Sequence, residues 1–175
     1  MGRELRMVAP NWEHPKNENG NYQPLHDESY TDKFNLWIEG HNLWADKKHP
    51  NQLDGSAFDY EFFDQWEGSP PDSMYYRPKW KDDEMTWYQV YETVSEGTPV
   101  SPPFETEQEL VDYLVLNGDF WDQERRKNKR NEGVFRINCD PWSKEAAEKF
   151  VFGSGWAPSM IVSNGELKSG VEGLV

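Results

Sequence analysis

A chain of 175 residues that is 35% hydrophobic and 15% aromatic, with nine Trp, fits one domain, or one domain plus a long irregular arm, built on an aromatic-heavy core. Its 32 acidic and 18 basic residues leave a net charge of −14, a field that repels phosphate and argues against direct attraction to nucleic acid or an anionic membrane. The single cysteine, Cys139, excludes an intramolecular disulfide, and no segment approaches the ~18 apolar residues of a membrane span.

The first 27 residues read as an irregular arm, with Pro10, Pro15, Gly20 and Pro24 among asparagines and with Trp12, Tyr22 and Leu25 placed to pin it to the body. The N-terminal ten residues lack the apolar run of a signal peptide. Residues 28–175 are expected to form one α+β domain, a small antiparallel sheet packed against helices. The alternative is an N-terminal half that orders only on a partner. Tyr30, Phe34, Trp37, Ile38 and Trp44 recur at helical spacing, and Ser29 with Asp32 supplies an N-terminal cap, so a helix is predicted over 30–46. Gly40 weakens that helix by about 1 kcal/mol relative to Ala. Residues 47–56 read as a turn. Phe58, Phe62 and Trp66 form an i, i+4, i+8 stripe, which predicts a short helix over 57–66 with those rings in the core.

Asp72–Glu84 reads as a polar loop carrying Tyr75, Tyr76 and Trp80. Strands are predicted over 86–94 and 98–102, hinged near Glu96-Gly97. Thr106-Glu107-Gln108-Glu109 is a capping box opening a helix that turns Leu110, Val111 and Leu114 inward and stops at Asn117-Gly118. A strand is predicted over 134–138 and a helix from Ser143 to about Phe152. The strongest short hairpin signal is Asn164-Gly165 between Met160–Ser163 and 167–171.

Three separated patterns resemble a family of small, uncharacterised proteins from tailed bacteriophages. They are Val8-Ala9-Pro10-Asn11-Trp12-Glu13-His14-Pro15-Lys16 with Tyr22-Gln23-Pro24-Leu25; Tyr75-Tyr76-Arg77-Pro78-Lys79-Trp80 with Tyr88 through Phe104; and Gly155-Trp156-Ala157-Pro158-Ser159 with Ser169-Gly170-Val171-Glu172. Beside that family, residues from about 118 to 141 look like an insertion. The resemblance implies a phage origin and carries no functional residues with it.

No catalytic constellation is legible. The spacings of His14, His26, His41 and His49 match no zinc pattern, so neither a metal nor another cofactor is expected. Asp140 beside Cys139 opposes a reactive thiolate. No nucleophile elbow, phosphate-binding loop or dinucleotide fingerprint occurs. Carboxylate pairs are too numerous to single out a glycosidase-like pair.

Two features remain. The acidic and aromatic stretches supply Asp59, Glu61, Asp64, Glu67, Tyr75, Tyr76, Trp80, Asp82, Asp83 and Glu84 as candidate contacts with a basic protein, rings anchoring and acids steering. The run Arg125, Arg126, Lys127, Lys129 and Arg130 is a candidate grip on a phosphate or an acidic partner, or else a solvated offset to Asp119, Asp122 and Glu124. The leading expectation is a phage accessory protein in the host cell cytoplasm. It would bind a host protein stoichiometrically and inhibit a defence or nucleic-acid-handling complex, as an anti-CRISPR protein does, with acids mimicking phosphate. The rivals are a nucleotide- or small-ligand-binding protein or enzyme using the 125–130 run, and a self-associating virion or assembly component.

Overall fold

Six residues of the expected arm form the middle of a sheet. In this computed structural model, which describes residues 2–93, 96–128, 140–163 and 165–175, Arg3–Val8 is strand β1. The remaining elements, in chain order, are β2 (Leu25–His26), α1 (Tyr30–Ala45), α2 (Pro50–Leu53), α3 (Phe63–Glu67), β3 (Trp87–Glu92), β4 (Glu96–Gly97), α4 (Glu107–Asn117), α5 (Phe120–Lys127), α6 (Lys144–Lys149), β5 (Trp156–Ala157), β6 (Met160–Ser163) and β7 (Glu166–Ser169). The fold is α+β. Among the described residues no helix is long and apolar enough to cross a membrane.

The chain divides into two compact units, one made of residues 1–24 with 80–175 and the other of residues 25–79. This division replaces the expected arm over 1–27 and single domain over 28–175. Within the first unit the sheet order is β3-β1-β5, antiparallel throughout, with Arg3 opposite Glu92 and Val8 opposite Trp87 on one side and Arg3 opposite Ala157 on the other. The strand was hidden in the sequence because its buried positions include arginines. Arg3 is 2% exposed and its guanidinium meets Asp119 across the unit at 2.5 Å. The Arg6 guanidinium lies 4.6 Å from the Tyr91 ring centroid, and a Cβ at Gly97 would come within 2.8 Å of it, so glycine keeps that space open.

α4, α6 and the wide turn Phe150–Ser154 bury Leu110, Val111, Leu114, Ala146, Ala147, Phe150 and Val151 in one core with Val90, Val100 and Ala157. α4 starts where the capping box sets it. Thr106 Oγ1 accepts the Glu109 N–H while Glu109 accepts the Thr106 N–H, and the helix stops at Gly118, whose φ of 67° favours glycine. The return from β3 is irregular rather than a strand over 98–102, held by bridges from Tyr91 to Pro99 and from Tyr88 to Phe104. The β6–β7 hairpin is antiparallel, with Met160 opposite Ser169 and Ser163 opposite Glu166. The strand expected over 134–138 and Cys139 lie outside the described residues.

The segment after β1 is ordered by a polar network around Tyr91, which is 1% exposed. Trp12 Nε1 donates to the Tyr91 hydroxyl at 3.2 Å, and His14 Nε2 donates to the Gln23 carbonyl at 2.7 Å. That leaves His14 Nδ1 to accept the Tyr91 O–H at 3.2 Å. Tyr22 stacks on Phe120 with centroids 6.2 Å apart. Trp12 and Tyr22 therefore hold this segment as expected.

Candidate functional site

In the unit of residues 25–79, helical spacing aligns Trp37, His41 and Trp44 on one face of α1. Ser29 caps the helix by accepting the Asp32 N–H. The expected 57–66 helix does not form. Ser56 donates both its N–H and its hydroxyl to Asp54 Oδ1, at 2.8 and 2.6 Å, and Gly55 adopts a φ of 80°. This local turn competes with helix formation. Gln65 Oε1 then accepts the N–H groups of Glu61 and Phe62, starting α3 at Phe63.

The shifted start exchanges the core ring. Phe63 is 4% exposed, whereas Phe58 and Phe62, expected in the core, are 88% and 55% exposed. Phe63 enters against Gly40, where a Cβ would sit 2.5 Å from its ring. It packs 5.4 Å from Trp37, 5.7 Å from Trp44 and 5.6 Å from His49, centroid to centroid. Trp37 and His41 stack at 5.2 Å with planes 20° apart. Trp37 Nε1 donates to the Gly68 carbonyl at 3.0 Å and Trp44 Nε1 to the Glu61 carbonyl at 3.1 Å. Both indole N–H groups are thus spent on the backbone. The rings of Trp37, His41, Trp44 and Phe63 line a cavity of about 530 Å³ whose wall also carries Glu61 and Asp64, along with Lys47.

Asp59, Glu61, Asp64 and Glu67 are all exposed, and among the described residues none makes an ion pair. Tyr75 is 51% exposed, in a single turn capped by Asp72. Tyr76, a candidate partner contact, is half-buried, 4.9 Å from the His26 ring and 5.5 Å from Tyr30. Trp80 is also half-buried, edge-on to Trp12 at 4.8 Å. Asp82, Asp83 and Glu84 are exposed in one 3-10 turn, with Glu84 accepting the Lys81 N–H. Trp80, Asp82, Asp83 and Glu84 belong to the first unit, so the ten candidates are divided between the two units.

The basic run is partly built into its own unit. Arg125, Arg126 and Lys127 form the last turn of α5, where cations are favoured. Arg126 donates to the Asn117 carbonyl, and Arg125 lies 3.9 Å from Asp122. Lys129 and Arg130 lie outside the described residues.

The start of α5, inside the segment that looked inserted, holds a buried cluster. Asp119 and Asp122 accept each other's backbone N–H in a capping box. Asp122 Oδ2 also accepts Trp142 Nε1 at 2.9 Å, and Asp122 Oδ1 lies 3.7 Å from Arg3. Burial, then the neighbouring Asp119 charge, pushes the Asp122 carboxyl up from 3.8 to about 6 against the pull of Arg3. A cavity of about 440 Å³ opens beside Arg3, Asp122 and Trp142. A titrating acid at a cavity is a feature of catalytic sites. Here both carboxylates are engaged in joining β1, α5 and Trp142, which makes the cluster a structural clasp. Among the described residues no three His, Cys, Asp or Glu side chains gather as a metal site would require.

From the sequence, Trp37 and Trp44 mark a helix by their spacing and His41 is weighed only as a metal ligand; that the three line one cavity was not legible. Comparison with protein-family models, with curated proteins and with solved structures finds no match to this chain.

Proposed function

We propose that this chain is a phage-encoded accessory protein that binds a host protein stoichiometrically, and that the acidic, aromatic segment of the 25–79 unit docks on a basic surface of that partner. One observation carries the reading. From Asp54 through Asp72, both included, the chain has six carboxylates and no Lys or Arg, and Phe58 and Phe62, at 88% and 55% exposure, stand among them. A globular protein gains nothing for its own stability from a phenyl ring held in water. Burying each ring at an interface is worth about 2 kcal/mol. Unpaired carboxylates beside such rings accelerate encounter with a cationic surface and reject anionic ones. A groove that normally holds nucleic acid offers that cationic surface, which is the basis for expecting inhibition of a defence or nucleic-acid-handling complex of the anti-CRISPR kind.

The test compares the wild type with Asp59→Asn/Glu61→Gln/Asp64→Asn/Glu67→Gln as bait in host lysate, at low salt and at about 0.5 M, where the Debye length falls below about 5 Å. The expected result is one partner that the wild type retains at low salt and that both the variant and high salt release. Capture of the same proteins by the variant, or a wild type recovered alone, refutes the reading.

A further inference from the structure

We infer that the cavity of the 25–79 unit is an arginine socket: it receives one guanidinium side chain of the basic partner as the anchor of the docked complex. The inference rests on the proposed function for its biological setting, but it follows from the cavity itself.

The volume, about 530 Å³, falls within the range of about 300–1,000 Å³ typical of ligand sites and far exceeds what one ordered water fills. Its walls select by charge. Ring faces are the negative pole of the aromatic quadrupole and attract cations. The indole N–H groups of Trp37 and Trp44, the donors an anion would seek, are held by the Gly68 and Glu61 carbonyls. Of the carboxylate, ammonium and guanidinium groups in the wall, Glu61 and Asp64 are acids and Lys47 is a cation. None of the three makes an ion pair among the described residues. The acids are therefore available to an incoming charge, and the surplus is negative.

Among cations the geometry favours guanidinium over ammonium. A planar fork stacks on an aromatic face and donates to carboxylates at its edge at the same time, whereas an ammonium is a compact, strongly hydrated charge. The Trp37–His41 stack and the two acids in the same wall offer both halves of that recognition.

The socket is tested on the isolated protein, without any partner. N-acetyl-arginine amide is titrated while the Trp indole signals are followed by NMR, with N-acetyl-citrulline amide as the neutral isostere. Saturable shifts of the Trp37 and Trp44 signals with the arginine probe are expected, and none with citrulline. Glu61→Gln/Asp64→Asn should weaken the arginine probe about tenfold, while Asp59→Asn/Glu67→Gln, exposed acids outside the cavity wall, should leave it within about twofold. All four positions are exposed, so folding is preserved, and unchanged indole spectra without probe verify this. Equal response to citrulline, equal loss in the two variants, or no saturable shift overturns the socket. A partner captured from lysate by a protein that ignores arginine amide rejects the socket alone. Arginine binding with no partner captured rejects the docking reading alone.

Discussion

Replacing Asp122 by Asn should make the protein less sensitive to pH, and the sign is fixed by the cluster around it. The folded state raises this carboxyl from 3.8 to about 6, equivalent to about 3 kcal/mol between the protonated and ionised forms. An acid raised on folding contributes stability that is full below 3.8 and is lost as pH rises through about 6. Between about pH 4.5 and about pH 7.5 the loss comes to about 2 kcal/mol. Asparagine keeps an oxygen for Trp142 Nε1 and for the Asp119 N–H, and removes the buried charge facing Asp119. It also forgoes the attraction of Arg3 at 3.7 Å, the smaller effect here. His14 acts in the opposite direction. Its burial depresses it below 6.5, so its contribution is present above 6.5 and is lost as pH falls. That contribution is common to both proteins and cancels in their difference. Urea unfolding at the two pH values, wild type against variant, should show the wild type losing about 2 kcal/mol more than the variant on going to the higher pH. A difference independent of pH refutes the argument. A difference of opposite sign means that Arg3 outweighs both burial and Asp119.

Two further outcomes follow from the aromatic packing of the 25–79 unit. Gly40→Ala raises helix propensity by about 1 kcal/mol, yet places a methyl 2.5 Å from the Phe63 ring. Overpacking of about 1–3 kcal/mol should prevail, and a variant with a higher Tm by calorimetry would show that the ring yields freely. Phe63→Ala, at a site 4% exposed, should cost about 3–5 kcal/mol. Phe58→Ala, at 88% exposure, should change stability by less than about 0.5 kcal/mol while weakening capture of the partner. Equal destabilisation by the two would restore Phe58 to the core.

The elements legible in the sequence are those whose signals are local. Ser29 with Asp32, Thr106 with Glu109, and Asn164-Gly165 each specify a boundary within a few residues, and α1, α4 and the β6–β7 hairpin lie where those boundaries place them. β1 was not legible, because Arg3 and Arg6 occupy buried positions, and beside the local Glu4 the groups that accommodate them, among them Asp119, Tyr91 and Gly97, are distant in the chain. The 57–66 stripe misled for a different reason. Its spacing is helical, but the Asp54–Ser56 turn and the Gln65 cap delay the helix until Phe63. Of the candidate site, the carboxylates at 59, 61, 64 and 67 stand exposed, since charged side chains at such density seldom bury. Tyr76 and Trp80 turned inward because each found a ring partner that no spacing rule identifies.

The two units differ in when they can mature on the ribosome. Residues 25–79 are continuous, so nascent chain that has cleared the exit tunnel to Lys79 already contains every residue of that unit. The other unit must wait for the third strand of its sheet, since Ala157 pairs with Arg3 and the buried partner of Arg3 arrives only with Asp119. Until then, β1 carries two arginines and an open edge. That composition suits a strand held waiting in water, because charge on an unpaired edge discourages premature association with other chains.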